Sequence, residues 1–100
     1  MSSETEGGDH RVGKVTVRYW ASARAAAGVE SDQVPVDAGT TLADVLAAVE
    51  VLHADRPRLR DVVAVCSVLV GDQPVGTRDP GSVALAGGET VELLPPFAGG

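Results

Sequence analysis

The chain closes on the string VELLPPFAGG, so its final carboxylate is expected to sit on Gly99 and Gly100. Two residues without side chains can thread a narrow channel and adopt backbone angles closed to other residues. Pro95 and Pro96 stiffen the base of this segment and lower the cost of ordering it in a partner. Fully extended, Pro95 to Gly100 spans roughly 20 Å, enough to enter another protein's pocket. Phe97, a lone aromatic here, reads either as an anchor in a partner's groove or as a side chain folded back on its own domain.

The other reactive residue types are sparse. Cys66 is the only cysteine, which excludes a disulfide framework or a four-thiolate cluster within one chain. It sits among valines with no adjacent Lys or Arg to lower its pKa, so a buried structural thiol is expected over a nucleophile or persulfide site. His10 falls in a polar leader and His53 near a helix end, neither with a partner suggesting metal binding or acid–base work. Arg56, Arg58 and Arg60 read as a solvated loop, with a docking patch as the alternative. No triad, metal cluster or phosphate-cradling loop is present: Gly87-Gly88 is followed by Glu89 and a strand, not a helix. No metal site is expected, and any chemistry must be completed by partners.

The elements that hold the tail follow from periodicity. Residues 1–13 are polar and are expected to form a disordered tail, with a domain over 14–94 and a flexible tail over 95–100. Val15, Val17 and Tyr19 alternate with Thr16, Arg18 and Trp20, the pattern of a half-buried strand. Adjacent strand residues cannot share a face, so Trp20 is placed beside Arg18 away from the core, as a partner-binding surface; packing under the 76–88 loop is the alternative. Ser22 is positioned to cap a short helical turn that Gly28 stops. Gln33 to Val36 is a second strand, and its proline suits a sheet edge.

Thr41 and Asp44 form a capping-box pattern ahead of Leu42, Val45, Leu46, Val49 and Leu52, the stripe of an amphipathic helix. Pro57 should end that helix near His53 to Asp55. The apolar run Val62 to Val70 reads as a buried strand, Val75 as the start of a short returning strand, and Gly76 to Gly88 as loop anchored by Val83 and Leu85. Thr90 to Leu94 is the last strand, stopped by the prolines. This order predicts an α+β layer, one main helix across a mixed sheet of four to five strands. If the first and last strands are neighbours, the tail leaves from the sheet centre.

Length and charge narrow the function classes. One hundred residues suit one domain with a modest core, and with only Tyr19, Trp20 and Phe97 aromatic that core must be Val, Leu and Ala. A net charge of −6 argues against a nucleic-acid binder, which needs clustered Lys and Arg. No membrane span or signal peptide is evident, so no membrane association is expected and the default compartment is the cytoplasm.

The segments VTVRYWASARAAAG, TLADVLAAV, CSVLVGDQPV and LAGGETVELLPPFAGG together resemble the MoaD/ThiS sulfur-carrier family of small β-grasp, ubiquitin-like proteins. The resemblance covers about Val15 to Gly100. Its LPPFAGG ending and YWASARAAAG opening are closer to the small subunit of molybdopterin synthase than to the thiamine carrier. It implies that a ubiquitin-activating-type adenylyltransferase uses ATP to adenylate the Gly100 carboxylate. Sulfur from a donor protein then gives a thiocarboxylate. The tail, through Gly99, Phe97, Pro96 and Pro95, would insert into the molybdopterin synthase large subunit and donate sulfur to a pterin precursor. The carrier itself would bind no cofactor. Carriers for thiamine thiazole, cysteine or a thiolated metabolite, a ubiquitin-like modifier, and a plain β-grasp interaction domain are the other readings.

Overall fold

The structure, a computed structural model, describes residues 13–96. Strand β1 (Gly13–Tyr19) leads through helix α1 (Ala21–Ala27) to β2 (Ser31–Val36). Helices α2 (Leu42–Leu52) and α3 (Pro57–Ala64) follow, then β3 (Ser67–Val70), β4 (Gln73–Pro74) and β5 (Thr90–Leu94). The strands form one mixed sheet in the order β2-β1-β5-β3-β4. β1 pairs parallel with β5 and antiparallel with β2, while β3 pairs antiparallel with both β5 and β4. This is the β-grasp arrangement, and the first and last strands are neighbours at its centre.

The core lies on one face of that sheet. Val15, Val17 and Tyr19 of β1, Val34 and Val36 of β2, and Val91 and Leu93 of β5 meet Leu42, Val45 and Val49 of α2, all buried. Val83 and Leu85 anchor the loop before β5, as the sequence predicts. Helix α2 starts where its capping box requires: the Thr41 hydroxyl accepts from the Asp44 N–H, and the Asp44 carboxylate accepts from the Thr41 N–H at 2.9 Å. Leu52 departs from the expected stripe: it is the last residue of α2 and is exposed.

The run Val62 to Val70 is not one strand. Its first residues complete α3, and only Ser67–Val70 enters the sheet. Pro57, expected only to stop the preceding helix, instead opens a new one, where its fixed φ and missing N–H cost nothing. Leu59 is fully buried and Val62 and Val63 half-buried on the inner side, the i, i+3, i+4 spacing of a helix face. Arg56, Arg58 and Arg60 therefore begin a helix rather than line a loop. Arg56 packs over Gly28, where an added Cβ would come within 2.6 Å of the Arg56 Cζ. Ser22 is not a cap: α1 follows Trp20, which makes no side-chain cap bond, and Ala21 turns the chain with a left-handed φ of 49°. Gly28 does end α1, its N–H bonding the Arg24 carbonyl.

Leu59 is the one fully buried side chain of α3. Leu59→Ala is expected to cost about 2–5 kcal/mol in urea unfolding. Val65→Ala, at a position 62% exposed, should stay within about 0.5 kcal/mol.

Candidate functional site

The predicted tail begins where β5 ends. Leu94 pairs with Ser67 of β3, and one residue back Leu93 pairs with Tyr19 of β1, so the departing chain is held on both sides. Pro95 is half-buried against the domain and Pro96 is exposed. The proline ring fixes φ near −65° at both, which stiffens the chain where it leaves β5. Phe97, Gly99 and Gly100 lie outside the described residues, as does His10.

Beside this exit stands a constellation on the sheet face opposite the core. Arg18 of β1 and Glu92 of β5 are register partners. Trp20, which follows β1 with the same parity, is 39% exposed. Its indole Nε1–H donates to Glu92 Oε1 at 3.0 Å, and the Arg18 guanidinium lies 4.9 Å from the ring centroid. The cation–π contact and the hydrogen bond hold the indole in one orientation next to the stalk, each contributing on the order of 1 kcal/mol at an exposed site. The sequence places Trp20 and Arg18 together on this face, and the structure does the same; packing under the 76–88 loop is not what it shows. Glu92, the third member, was missed. Only the parallel β1–β5 register brings it to Trp20 across 72 residues.

A second constellation was also missed. On the core side of the sheet, Asp32 Oδ2 accepts from the Tyr19 hydroxyl at 2.8 Å and from His53 Nε2 at 2.6 Å. The Tyr19 and His53 rings meet edge to face at 5.9 Å. His53, at the C-terminal cap of α2, thus has a partner that the sequence did not reveal. The arrangement ties α2 to β1 and β2. Burial, then the hydrogen bond to Asp32 and its negative charge, push the Tyr19 phenol well above its ordinary range.

Cys66 lies in the turn between α3 and β3, not mid-strand as expected. Its Sγ donates to the Val62 carbonyl at 3.3 Å, and burial pushes the thiol up, the opposite of what a nucleophile or persulfide carrier needs. Among the described residues no group of three His, Cys, Asp or Glu converges to hold a metal ion. No helix among them is long and apolar enough to cross a membrane.

Two expectations follow. Since the fold holds the Tyr19 proton more tightly than the unfolded chain does, the stability that the protonated phenol contributes should be fully present below about pH 10 and be lost progressively above it. Tyr19 is the only tyrosine, so tyrosinate absorbance in native and urea-unfolded chain reads this directly; equal titration curves would contradict the buried phenol. Cys66 should react with a thiol reagent at least tenfold more slowly in the native chain than in the unfolded one.

The comparisons with known proteins agree on the architecture. A family model described as the ThiS family matches residues 17–100. The HVO 2177 protein of Haloferax volcanii is 26% identical with a TM-score of 0.69, covering 100% of this chain and 99% of its own. SAMP1 from the same organism is 26% identical with a TM-score of 0.68, over 88% of this chain and 100% of its own. A complex of subunits 1 and 2 of molybdopterin-converting factor from Helicobacter pylori contains a chain 23% identical, with a TM-score of 0.57, over 87% of this chain and 99% of its own. No curated protein sequence matches.

Proposed function

This chain belongs to the ThiS family, and from that membership we propose that it is a sulfur carrier whose Gly100 carboxyl is the working group, serving as the small subunit of a molybdopterin synthase. A free carboxylate is a poor electrophile. An adenylyltransferase joins it to AMP from ATP with release of pyrophosphate, which supplies a good leaving group. A sulfur nucleophile delivered by a donor protein attacks the carbonyl carbon, AMP departs, and a thiocarboxylate results. The tail then enters the large subunit and gives its sulfur to the pterin precursor. ATP is the cosubstrate of the activating partner; the carrier needs no cofactor of its own.

The observation that carries this reading is the placement of the stalk. Pro95 and Pro96 follow directly from the central strand β5, and six residues from Pro95 to Gly100 would span roughly 20 Å if fully extended. Gly99 grants access, Phe97 anchors the tail, and Arg18 and Trp20 form a contact surface beside its root. The Helicobacter pylori complex of subunits 1 and 2 supports a large subunit as the partner.

A second reading has its own support. The likeness to SAMP1 of Haloferax volcanii, a small archaeal modifier protein, favours a modifier that forms isopeptide bonds with target lysines. Carriers for thiamine thiazole, cysteine or a thiolated metabolite share the loading chemistry and differ only in the acceptor.

Incubating the purified chain with ATP, a sulfur source and the activating enzyme of its own cell should raise its intact mass by the exchange of one oxygen for sulfur. One alanine added after Gly100 should abolish that gain and leave the unfolding curve unchanged. A wild-type chain that gains no sulfur under these conditions sinks the carrier reading. Gly-Gly remnants on lysines of other proteins, in a digest of the same cells, would shift the choice to the modifier.

A further inference from the structure

An activated Gly100 carries a reactive acyl group, and what that group meets on a neighbouring copy depends on the nucleophiles the fold leaves open. Several are engaged. The Cys66 thiol donates to the Val62 carbonyl at 3.3 Å, and burial holds its proton more firmly. The Tyr19 hydroxyl donates to Asp32 from a buried position, and His53 Nε2 lies 2.6 Å from the same carboxylate. Arginine stays protonated in proteins and is no nucleophile. Of the linkages open to an acyl group, the amide formed with an amine is the one that persists in water. Lys14 is the only lysine in the sequence.

Lys14 is exposed on β1 and takes part in no ion pair among the described residues. Its neighbour Val15 is buried, so the amine points away from the core. On the β2 side its register partner is Pro35. On the β5 side its carbonyl accepts from the Gly88 N–H at 2.8 Å, and an added Cβ at Gly88 would meet nothing within 4 Å. Neither lateral neighbour carries a long side chain, so a terminus of two glycines can approach the amine without a clash.

The strands set where this amine stands relative to the tail. β1 and β5 run parallel, so Lys14 lies at the end of the sheet where both begin, and Leu94 at the end where both finish. The levels of Gly88 and Leu94 are about 20 Å apart along β5. A tail seeking its own Lys14 would have to reverse at Pro95 and Pro96 and retrace that distance. The roughly 20 Å that Pro95 to Gly100 spans when extended leaves nothing for the reversal. A donor at one pole and an acceptor at the other stand head to tail, a relation that builds open chains.

We propose that Lys14 is an acylation site that takes the Gly100 carbonyl of a second copy into an isopeptide bond, linking copies head to tail. The neutral amine nitrogen attacks the carbonyl carbon of the Gly100 acyl adenylate. The bond from that carbon to the phosphate oxygen breaks, AMP leaves with its electron pair, and the nitrogen gives its surplus proton to water. The inference rests on activation of Gly100 by ATP, the step that the carrier and modifier readings share, and it needs no sulfur.

The experiment incubates the full-length chain with ATP and the activating enzyme of its own cell, without a sulfur source. It follows pyrophosphate release, and linked copies on a reducing, denaturing gel. A ladder of linked copies is expected. Chymotrypsin cuts after Phe97, so Ala98, Gly99 and Gly100 should remain attached to Lys14 in a digest. Lys14→Arg keeps the charge and removes the nucleophile; it should lower the ladder at least tenfold and leave the first turnover of pyrophosphate release unchanged. Lys14→Arg can only donate, and a chain with one alanine added after Gly100 can only accept, so mixing the two should give pairs and nothing longer. Pyrophosphate release without linked copies overturns the proposal and leaves the carrier reading standing. A remnant on the Met1 amine in place of Lys14, or an undiminished ladder from Lys14→Arg, also overturns it. Absence of pyrophosphate release sinks the proposal and the carrier reading together.

Discussion

The parallel pairing of β1 with β5 is the constraint on which the rest of the molecule depends. It joins residues 16–19 to residues 90–93, so the segments between them must close a long loop before the pair forms, at a cost in chain entropy. Burial on one side of the sheet offsets that cost. Val15, Val17, Val91 and Leu93 are completely buried, each contributing about 1.5–3 kcal/mol. The three helices of the core-facing layer, the loop anchors Val83 and Leu85, and the position of the stalk root are fixed relative to this pair. A register slip of one residue would turn Val17 and Tyr19 outward and carry Arg18 into the core.

Because β5 is flanked by β1 and β3, the stalk root cannot swing with a loop. The same register brings Glu92 beside Arg18 and under Trp20. Anchoring and surface are thus one consequence of a single pairing: the inward residues of β5 hold the strand, and its outward residue orients the indole. The Asp32 carboxylate does a comparable task on the other side, where Tyr19 and His53 converge on one oxygen. It joins the end of β1 to the end of α2, next to the point where Trp20 leaves the strand.

What the sequence made legible was local. The Thr41–Asp44 cap, the alternation in β1, the glycine after α1 and the proline pair after β5 each act through near neighbours. Their elements were placed within a residue or two. The run from Val62 failed because a continuous apolar stretch has no period to read, so its length was taken for a strand. Pro57 carried the missing information: at a first helical position it starts a helix as readily as it stops one. Ser22 failed because the chain turns one residue earlier, at Ala21. Glu92 and Asp32 were invisible for a different reason. Their partners are 72 and, for His53, 21 residues away, and only the sheet register and the seating of α2 bring them together.

The site, in consequence, divides between what a pattern can name and what a fold must supply. A carboxylate that is to be activated by one protein and used by another gains from being far from groups that would react with it. The described domain offers it little chemistry: its thiol is raised by burial and donates to a carbonyl, and its histidine is engaged by Asp32. A scaffold of this kind contributes position. Residues that merely hold position are chosen for packing and register, so their identity is dispersed through the sequence. On the carrier reading proposed above, residues that present the reacting group are confined to a short contiguous stretch, from Pro95 to Gly100. That asymmetry is why a candidate tail stands in one string of the sequence, whereas Glu92 and Asp32 required the assembled sheet.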